Sequence, residues 1–205
     1  MNKATFLLIL ILNTCLSFSQ SNTSEEISKI KLGFYLGLNY SNLTEDEKLP
    51  VNTSISNNLG FSLGVLADFR VSKMFSISPK GSVSFYGSKI NSIDQNNSNI
   101  ESEVIPASID FRTHFVFKKD NEKLSPYFLI GPSINIDNSN KETYPMHLRA
   151  NNNLAIDFGI GVEKPFTHFS IIPEFRYSYG LNNISTDDSI PSLRFHYFSL
   201  VLNFF

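Results

Sequence analysis

The chain has 205 residues, a length typical of a single domain. Its formal net charge is −2 and its pI is about 6.1. It therefore lacks the basic excess that neutralises phosphates, and we expect no nucleic-acid partner. The mean hydropathy is only −0.08, and no long apolar run follows the N-terminus. These two features exclude membrane-spanning helices from the rest of the chain.

The N-terminus has the pattern of an export signal. Met1 to Lys3 carries positive charge, residues 4–12 form a short apolar core, and Ser17-Phe18-Ser19 resembles a small-x-small cleavage site. We predict a signal peptide over residues 1–19 and a periplasmic lead over residues 20–29. The only cysteine, Cys15, lies in this signal. The mature chain would then hold no disulfide, thiolate nucleophile or cysteine-ligated metal.

From residue 30 onward the sequence divides into eight stretches with period-two alternation, which is the pattern of β-strands with two different faces. Each stretch is long enough to cross a bilayer at a tilt. They run approximately over residues 30–40, 59–71, 75–89, 104–117, 126–137, 154–164, 169–181 and 195–205. In most of them one face is aliphatic or aromatic and the other is charged or small. This pattern predicts an all-β domain over residues 30–205.

The connections between these stretches alternate strictly between short and long. Residues 72–74, 118–125 and 165–168 are short, whereas residues 42–58, 90–103, 138–153 and 182–194 are long and rich in Asn, Ser, Asp and Thr. Outer-membrane barrels have tight periplasmic turns and long outer loops, and their even strand number returns both termini to the periplasm. We therefore predict an eight-stranded, antiparallel, up-and-down transmembrane β-barrel in the outer membrane, with lipid around it and long polar loops outside.

The last stretch ends on an aromatic residue, as the final strands of such barrels often do for recognition by the barrel-assembly machinery. Tyr197, Val201 and Phe205 are the residues assigned to this signal. Counting back from Phe205, Val201 and Tyr197 suit an outward set, but Asn203 does not. The opposite set, which includes Phe198 and Leu200, is more apolar. The sequence leaves the facing of this strand open.

Several segments resemble the PorT-like outer-membrane β-barrel family of the Bacteroidetes. They are GFYLGLN at 33–39, GFSLG at 60–64 with DFR at 68–70, SPYFLIGP at 125–132 and IPEFRYSYGLNN at 172–183. The resemblance lies in the order and spacing of these segments and covers most of the mature chain. It implies an eight-stranded outer-membrane barrel and a structural or assembly role in type IX protein secretion or gliding, beside other secretion-system proteins. It implies no catalytic residues.

Charged residues of both signs fall on the polar face. An eight-stranded barrel is narrow enough for side chains to fill it, so such charges must pair to offset their desolvation. We predict a structural network of ion pairs that holds the barrel shut. Its members are Asp68, Arg70, Lys80, Asp110, Arg112, Asp157, Glu163, Glu174 and Arg176.

The sequence shows little sign of a reactive site. His114 and Asp110 share the polar face but lie four residues apart, too far along a strand for a direct hydrogen bond, so His114 is interpreted as an interior histidine. The other histidines lack metal-ligand spacing, and no Gly-x-Ser-x-Gly motif is present. We expect no enzyme activity, no cofactor and no metal.

Two alternatives remain open from the sequence. A soluble secreted lipocalin-like barrel would bury its apolar face and expose its charged face. An outer-membrane hydrolase or acyltransferase would need histidine with serine or aspartate converging at the outer rim, whereas His114 lies in the middle of a stretch.

Overall fold

The computed structural model describes residues 30–45, 53–93, 99–103, 105, 107–119, 124–137, 151–165, 169–185 and 192–205. The predicted signal peptide (1–19) and periplasmic lead (20–29) lie outside these residues. The described part of the chain forms eleven strands: β1 (Ile30–Glu45), β2 (Thr53–Ser56), β3 (Leu59–Arg70), β4 (Phe75–Phe85), β5 (Lys89–Ile93), β6 (Asn99–Glu103), β7 (Ala107–Lys118), β8 (Ser125–Asp137), β9 (Asn153–Pro165), β10 (Ser170–Gly180) and β11 (Leu193–Phe204).

Eight of these strands close a barrel in the order β1-β11-β10-β9-β8-β7-β4-β3, in which β3 pairs back onto β1. Neighbouring barrel strands are antiparallel throughout, for example along the pairing of β1 with β11. Closure leaves no unpaired sheet edge within the barrel, as a lipid environment requires. The predicted fold class is confirmed.

A separate three-stranded sheet, in the order β2-β5-β6, is formed largely by two connections that the sequence predicts to be long solvated loops, residues 42–58 and 90–103. That prediction was wrong for these segments. The predicted stretch 75–89 is also divided, since β4 ends at Phe85 and Lys89 begins β5. The short strands of this sheet are rich in Ser, Asn and Glu, so they lack the alternation of polar and apolar residues that reveals a half-buried strand.

Side chains alternate between two environments along the barrel strands. Outward positions carry aliphatic and aromatic side chains, such as Leu32 (76% exposed) and Leu59 (74% exposed), whereas inward positions carry mainly polar side chains that are buried. A lipocalin-like barrel requires the reverse arrangement. The soluble ligand-binding alternative is therefore wrong, because it would place an apolar belt in water and charges in its core.

The connections fix the orientation of the barrel. The short ones, after β3, β7 and β9, lie at the end where β1 begins and β11 finishes, and the long ones lie at the opposite end. By the asymmetry of outer-membrane barrels, the first end faces the periplasm and the second faces outward.

The outer end of the interior is filled by an apolar cluster, which differs from the charged filling that the sequence predicts. Its buried members are Leu43, Tyr86, Ile90, Ile105, Ile184, Leu193, Phe195 and Tyr197. Ile105 has a φ of 50°, a left-handed conformation that β-branched residues avoid, and burial in this cluster offsets the cost. Here the chain extends past the transmembrane strands, and apolar packing closes the mouth of the barrel.

The final strand resolves the facing that the sequence leaves open. Tyr197 and Val201 are fully buried and point inward with Asn203, whereas Phe198, Leu200 and Leu202 point outward. Of the two facings that the sequence leaves open, the one with Tyr197 and Val201 inward is therefore correct. Phe205 is partly buried and packs against the apolar clusters at the periplasmic end of the interior. The more apolar set faces lipid because lipid accepts no unpaired polar side chain such as that of Asn203.

Candidate functional site

The candidate functional site is the polar interior of the barrel, which is organised in layers along the barrel axis. In the outer layer, Asp110 of β7 accepts hydrogen bonds from Ser84 and from Asn135 Nδ2 (2.7 Å). The Arg112 guanidinium donates to Asp110 at 2.8 Å and to the Tyr197 hydroxyl at 3.0 Å. These contacts satisfy a carboxylate that is fully buried, which would otherwise be costly.

Asp157 of β9 holds the middle layer together. Its Oδ2 lies 2.9 Å from His114 Nε2, and Ser133 Oγ donates to its Oδ1 at 2.9 Å. The Nε atoms of Arg112 and Arg176 lie 3.4 Å and 3.9 Å from the same carboxylate. Both arginines and His114 are almost completely buried. Asp157 therefore adds a second counter-charge to each of two buried guanidinium groups and fixes the histidine ring.

Beside it, a second pair bridges the lumen from opposite walls. Lys80 of β4 and Glu174 of β10 stand half-way around the closed ring from each other, and their side chains meet at 3.0 Å. Glu174 also accepts from Arg176 Nη1 (3.2 Å) and from the Tyr127 hydroxyl (2.8 Å). Because this bridge spans the full width of the barrel, it blocks the passage through its middle.

The periplasmic layer is a shorter chain of ion pairs. Lys118 Nζ lies 3.0 Å from Asp68 and 3.3 Å from Glu163, and Lys31 Nζ lies 2.8 Å from Glu163. The Lys31 side chain is still 31% exposed, so this layer opens toward the periplasm. Breaking an ion pair of this kind costs less than breaking a fully buried one, because water solvates the charge that remains.

Eight of the nine sequence-predicted network residues lie buried inside the barrel with charged partners. They are Asp68, Lys80, Asp110, Arg112, Asp157, Glu163, Glu174 and Arg176. Arg70 is the exception. It is only partly buried at the periplasmic end of β3 and forms no ion pair with another described residue. At the end of a strand the guanidinium reaches water and needs no buried partner.

Sequence reasoning missed Lys31 and Lys118 as members of the network. Lys118 has the same parity as Arg112 and His114 along β7, and Lys31 has the same parity as Tyr35 along β1. This periodicity was the signal that could have identified both lysines. The predicted strand ends at residue 117, so Lys118 falls in the predicted connection 118–125.

The middle layer contains serine, histidine and aspartate, but in an order that does not suit nucleophilic catalysis. A catalytic histidine lies between the serine and the acid, whereas here Asp157 lies between Ser133 and His114. With Nε2 of His114 donating to Asp157, Nδ1 has no hydrogen-bond partner among the described residues. All three side chains are buried, which keeps a substrate away from them.

No group of three or more His, Cys, Asp or Glu side chains able to hold a metal ion occurs in the described ranges. Within the same ranges, no helix is both long and apolar enough to span a membrane.

Comparison with known proteins agrees with this geometry. Residues 18–186 match the family described as the outer membrane protein beta-barrel domain, and the chain belongs to that family. No curated protein matches the chain in sequence. The protein is therefore an outer-membrane β-barrel protein, as the sequence predicts.

Solved structures share the fold at low sequence identity. Neisserial surface protein A (NspA) superposes with a TM-score of 0.52 at 11% identity, covering 85% of this chain and 97% of its own. OprG from Pseudomonas aeruginosa has a TM-score of 0.51 at 8% identity, covering 85% of this chain and 92% of its own. These similarities support the fold alone.

Proposed function

We propose that this protein is a closed scaffold of the outer membrane with a structural or assembly role, and that it neither conducts ions nor catalyses a reaction. The observation that carries this proposal is the Lys80–Glu174 bridge, which joins opposite walls of the barrel with both side chains only 2% exposed. A water-filled channel keeps its lining charges in contact with solvent. Here Asp110, His114 and Asp157 have no exposed surface at all.

We further propose that the scaffold serves type IX protein secretion or gliding, as PorT-like proteins of the Bacteroidetes do. Support comes from the sequence segments that resemble that family. In this fold they form β1, β3, β8 and β10, so the resemblance follows the barrel wall rather than a loop. The partners would be other secretion-system proteins, which contact the outer sheet or the periplasmic turns.

Delivery to the membrane is part of the same proposal. The signal peptide at residues 1–19 would direct export and be removed, and the barrel-assembly machinery would recognise the final strand with Tyr197, Val201 and Phe205. Only Phe205 keeps an accessible side chain in the folded barrel, since Tyr197 and Val201 are buried. Recognition of the other two would then precede closure of the barrel.

The conductance of the purified protein in a planar lipid bilayer tests the closed interior. We expect no stable single-channel steps, because the layered ion pairs and the outer apolar cluster both fill the lumen. Reproducible steps of constant size that require the folded protein would contradict the proposal. A porin inserted in the same bilayer is the positive control.

A deletion strain tests the secretion role separately. We expect export of type IX cargo or gliding to fail in the deletion strain and to be restored by the wild-type gene. Normal export and normal gliding would contradict the proposed secretion role, and they would not bear on the proposal of a closed barrel.

The absence of catalysis has its own test. A fluorophosphonate probe labels activated serine nucleophiles, and we expect the folded protein to remain unlabelled because Ser133 is buried and bound to Asp157. Labelling of the folded barrel that is lost on Ser133→Ala would restore the hydrolase alternative.

A further inference from the structure

An apolar groove indents the lipid-facing wall of the barrel across β1, β3, β4 and β7, and its volume is about 580 Å³. Its floor is formed by small, partly buried residues at outward positions of three neighbouring strands, namely Ala67, Pro79, Gly81 and Thr113. A Cβ built on Gly81 would meet no atom within 4 Å, so the space above this residue is open. The wall is therefore indented here instead of presenting an even apolar surface.

Larger outward side chains surround this floor. Leu32 of β1 and Phe111 of β7 line the two sides of the groove and are 76% and 53% exposed. The next outward positions along β3, β4 and β7 are also bulky, with Leu63, Val83 and Ile109 toward the outer end and Phe69, Ile77 and Phe115 toward the periplasm. The groove is therefore bounded on all sides by the apolar belt, and an occupant enters it from the bilayer.

The groove lies over an interruption in the pairing of β3 with β4. Ala67 does not pair with Pro79, although pairing resumes with Phe69↔Ile77. Proline has no N–H to donate to a neighbouring strand, which accounts for the interruption. An apolar occupant of the groove would cover this part of the wall from the lipid side.

The groove lies in the periplasmic half of the bilayer. Pro79 follows Phe75, the first residue of β4, by four residues, which is about 13 Å along the strand and about 10 Å along the barrel axis of a tilted strand. Phe75 stands at the periplasmic end of the barrel, and a hydrocarbon core is about 30 Å thick. The floor of the groove is therefore at a depth that the acyl chains of the periplasmic leaflet reach.

The shape and chemistry of the groove favour a hydrocarbon chain over a protein. Eleven described residues line it, whereas each side of a stable protein interface contributes about 20–30. A second copy docked groove to groove would enclose a void between two indented walls, and a void loses van der Waals contacts. The charged lining residues, Lys80 and Arg112, point into the lumen and pair there. Among the outward lining side chains only that of Thr113 is polar, so nothing on this surface recognises a charged partner.

We propose that the groove holds one acyl chain of a phospholipid from the periplasmic leaflet and retains it when the other lipids at the wall exchange. Within a bilayer a chain gains no hydrophobic free energy by moving from lipid to protein, so van der Waals packing decides which contacts persist. A chain in the groove touches protein below and on both sides, whereas a chain on a flat wall touches it on one side only. The proposal depends neither on the closed lumen nor on the secretion role.

Retention of lipid tests this proposal. The full folded chain is reconstituted in phosphatidylcholine vesicles and extracted into a mild detergent, and native mass spectrometry counts the phospholipids that stay on each barrel. We expect about one retained phospholipid per barrel, because chains on the flat parts of the wall exchange for detergent. Barrels that retain no phospholipid would overturn the proposal.

Two substitutions fill the groove and locate the site. Gly81→Leu places a side chain in open space, and Ala67→Leu enlarges the floor beside it. Each should lower the retained phospholipid at least roughly threefold, because the chain loses its contacts with the floor. Ala107→Leu is the matched control, since Ala107 also faces lipid but lies at the outer end of β7, outside the groove. It should retain as much phospholipid as the wild type.

Folded gel mobility is checked first for each of the three variants. Retention that survives in both groove variants would overturn the assignment of the lipid to this groove. Retention that is lost equally in Ala107→Leu would overturn it as well, because the effect would then not be specific to this part of the wall.

Two further arms identify the occupant. Palmitic acid is added to the vesicles in a smaller amount than the phospholipid, and its mass in place of the retained phospholipid would show a fatty-acid site and overturn the choice of phospholipid. A dimer of barrels in the same spectra that Ala67→Leu removes and Ala107→Leu preserves would assign the groove to a second copy instead. We expect neither result.

Discussion

Asp157 is the residue on which the middle of the barrel interior depends. It lies within 4 Å of charged or polar atoms from three other side chains on β7 and β10, and it accepts from Ser133 on β8. Removing one partner from a buried ionic network costs far more than the pair contributes, because the remaining charges keep their desolvation cost. The interior is therefore most sensitive at this carboxylate.

We predict that Asp157→Asn lowers the free energy of unfolding by about 3–5 kcal/mol, because Arg112 and Arg176 lose a buried counter-charge. Urea titration of the barrel in lipid vesicles, followed by gel mobility, measures this change. Asp137→Asn is the matched control at the partly exposed outer end of β8, where water screens the contacts of the carboxylate, and its expected change is about 1 kcal/mol or less. Equal midpoints for both variants would show that the buried guanidinium groups do not depend on Asp157 as a counter-charge.

Three prolines lie inside barrel strands, at Pro79, Pro132 and Pro173. At each proline, residue pairs are missing from the ladder with one of the two neighbouring strands. For example, Ala67 of β3 does not pair with Pro79 of β4. Proline has no N–H to donate, so one bond is lost on one side while the other neighbouring strand still pairs. A closed barrel tolerates these gaps because the surrounding ladder holds the strands in register.

Two strand glycines test how closely neighbouring barrel strands pack. A Cβ on Gly131 of β8 would overlap the backbone oxygen of Thr113 on β7, whereas a Cβ on Gly81 of β4 would meet no atom within 4 Å. Gly131→Ala must therefore push two strands apart. Gly81→Ala only adds a methyl group to the lipid-facing side.

We expect Gly131→Ala to destabilise the barrel by about 1–3 kcal/mol. Gly81→Ala should be neutral or stabilise the barrel by up to about 1 kcal/mol, because alanine lowers the conformational entropy of the unfolded chain. Comparison of the urea midpoints for unfolding of the two variants in the same lipid tests this prediction. A reversed order would mean that β7 and β8 are not paired as described.

Closure of the barrel joins the first and last strands of the sheet. β1 pairs with β11 from Phe34↔Phe204 to Glu45↔Leu193, and Ser199 Oγ donates to Asn39 Oδ1 across this seam at 2.8 Å. The seam brings together residues separated by most of the chain. It is therefore the contact that only the complete fold can form.

An engineered disulfide tests the seam, since the only native cysteine lies in the predicted signal peptide. Leu38 and Leu200 are direct partners, so Leu38→Cys with Leu200→Cys should cross-link on mild oxidation. In Leu38→Cys with Leu202→Cys the second cysteine is displaced by two residues, about 7 Å along the strand, so this pair should not cross-link. Non-reducing mass spectrometry detects the bond. Efficient cross-linking of the displaced pair alone would refute this register.

The sequence predicted the fold well because the alternation in β3, β7, β9 and β10 is strong, and because short and long connections alternate. It predicted which charges lie inside but not how they pair. Lys80 meets Glu174 only because closure places β4 opposite β10. The outer sheet and the facing of β11 were missed or left open for a local reason. The strands of the outer sheet have only four or five residues, and on β11 the buried Tyr197 and Val201 share the inward face with Ser199 and Asn203, so period-two alternation carries little information there.

The central claim, a closed barrel in the outer membrane, is tested most directly by the gel mobility of the outer-membrane fraction with and without boiling in detergent. Folded barrels resist detergent until they are heated, because closed strand pairing leaves no edge from which unfolding can begin. We predict that the protein is found in this fraction and that boiling shifts its mobility. Recovery in the soluble periplasm without any shift would contradict the claim.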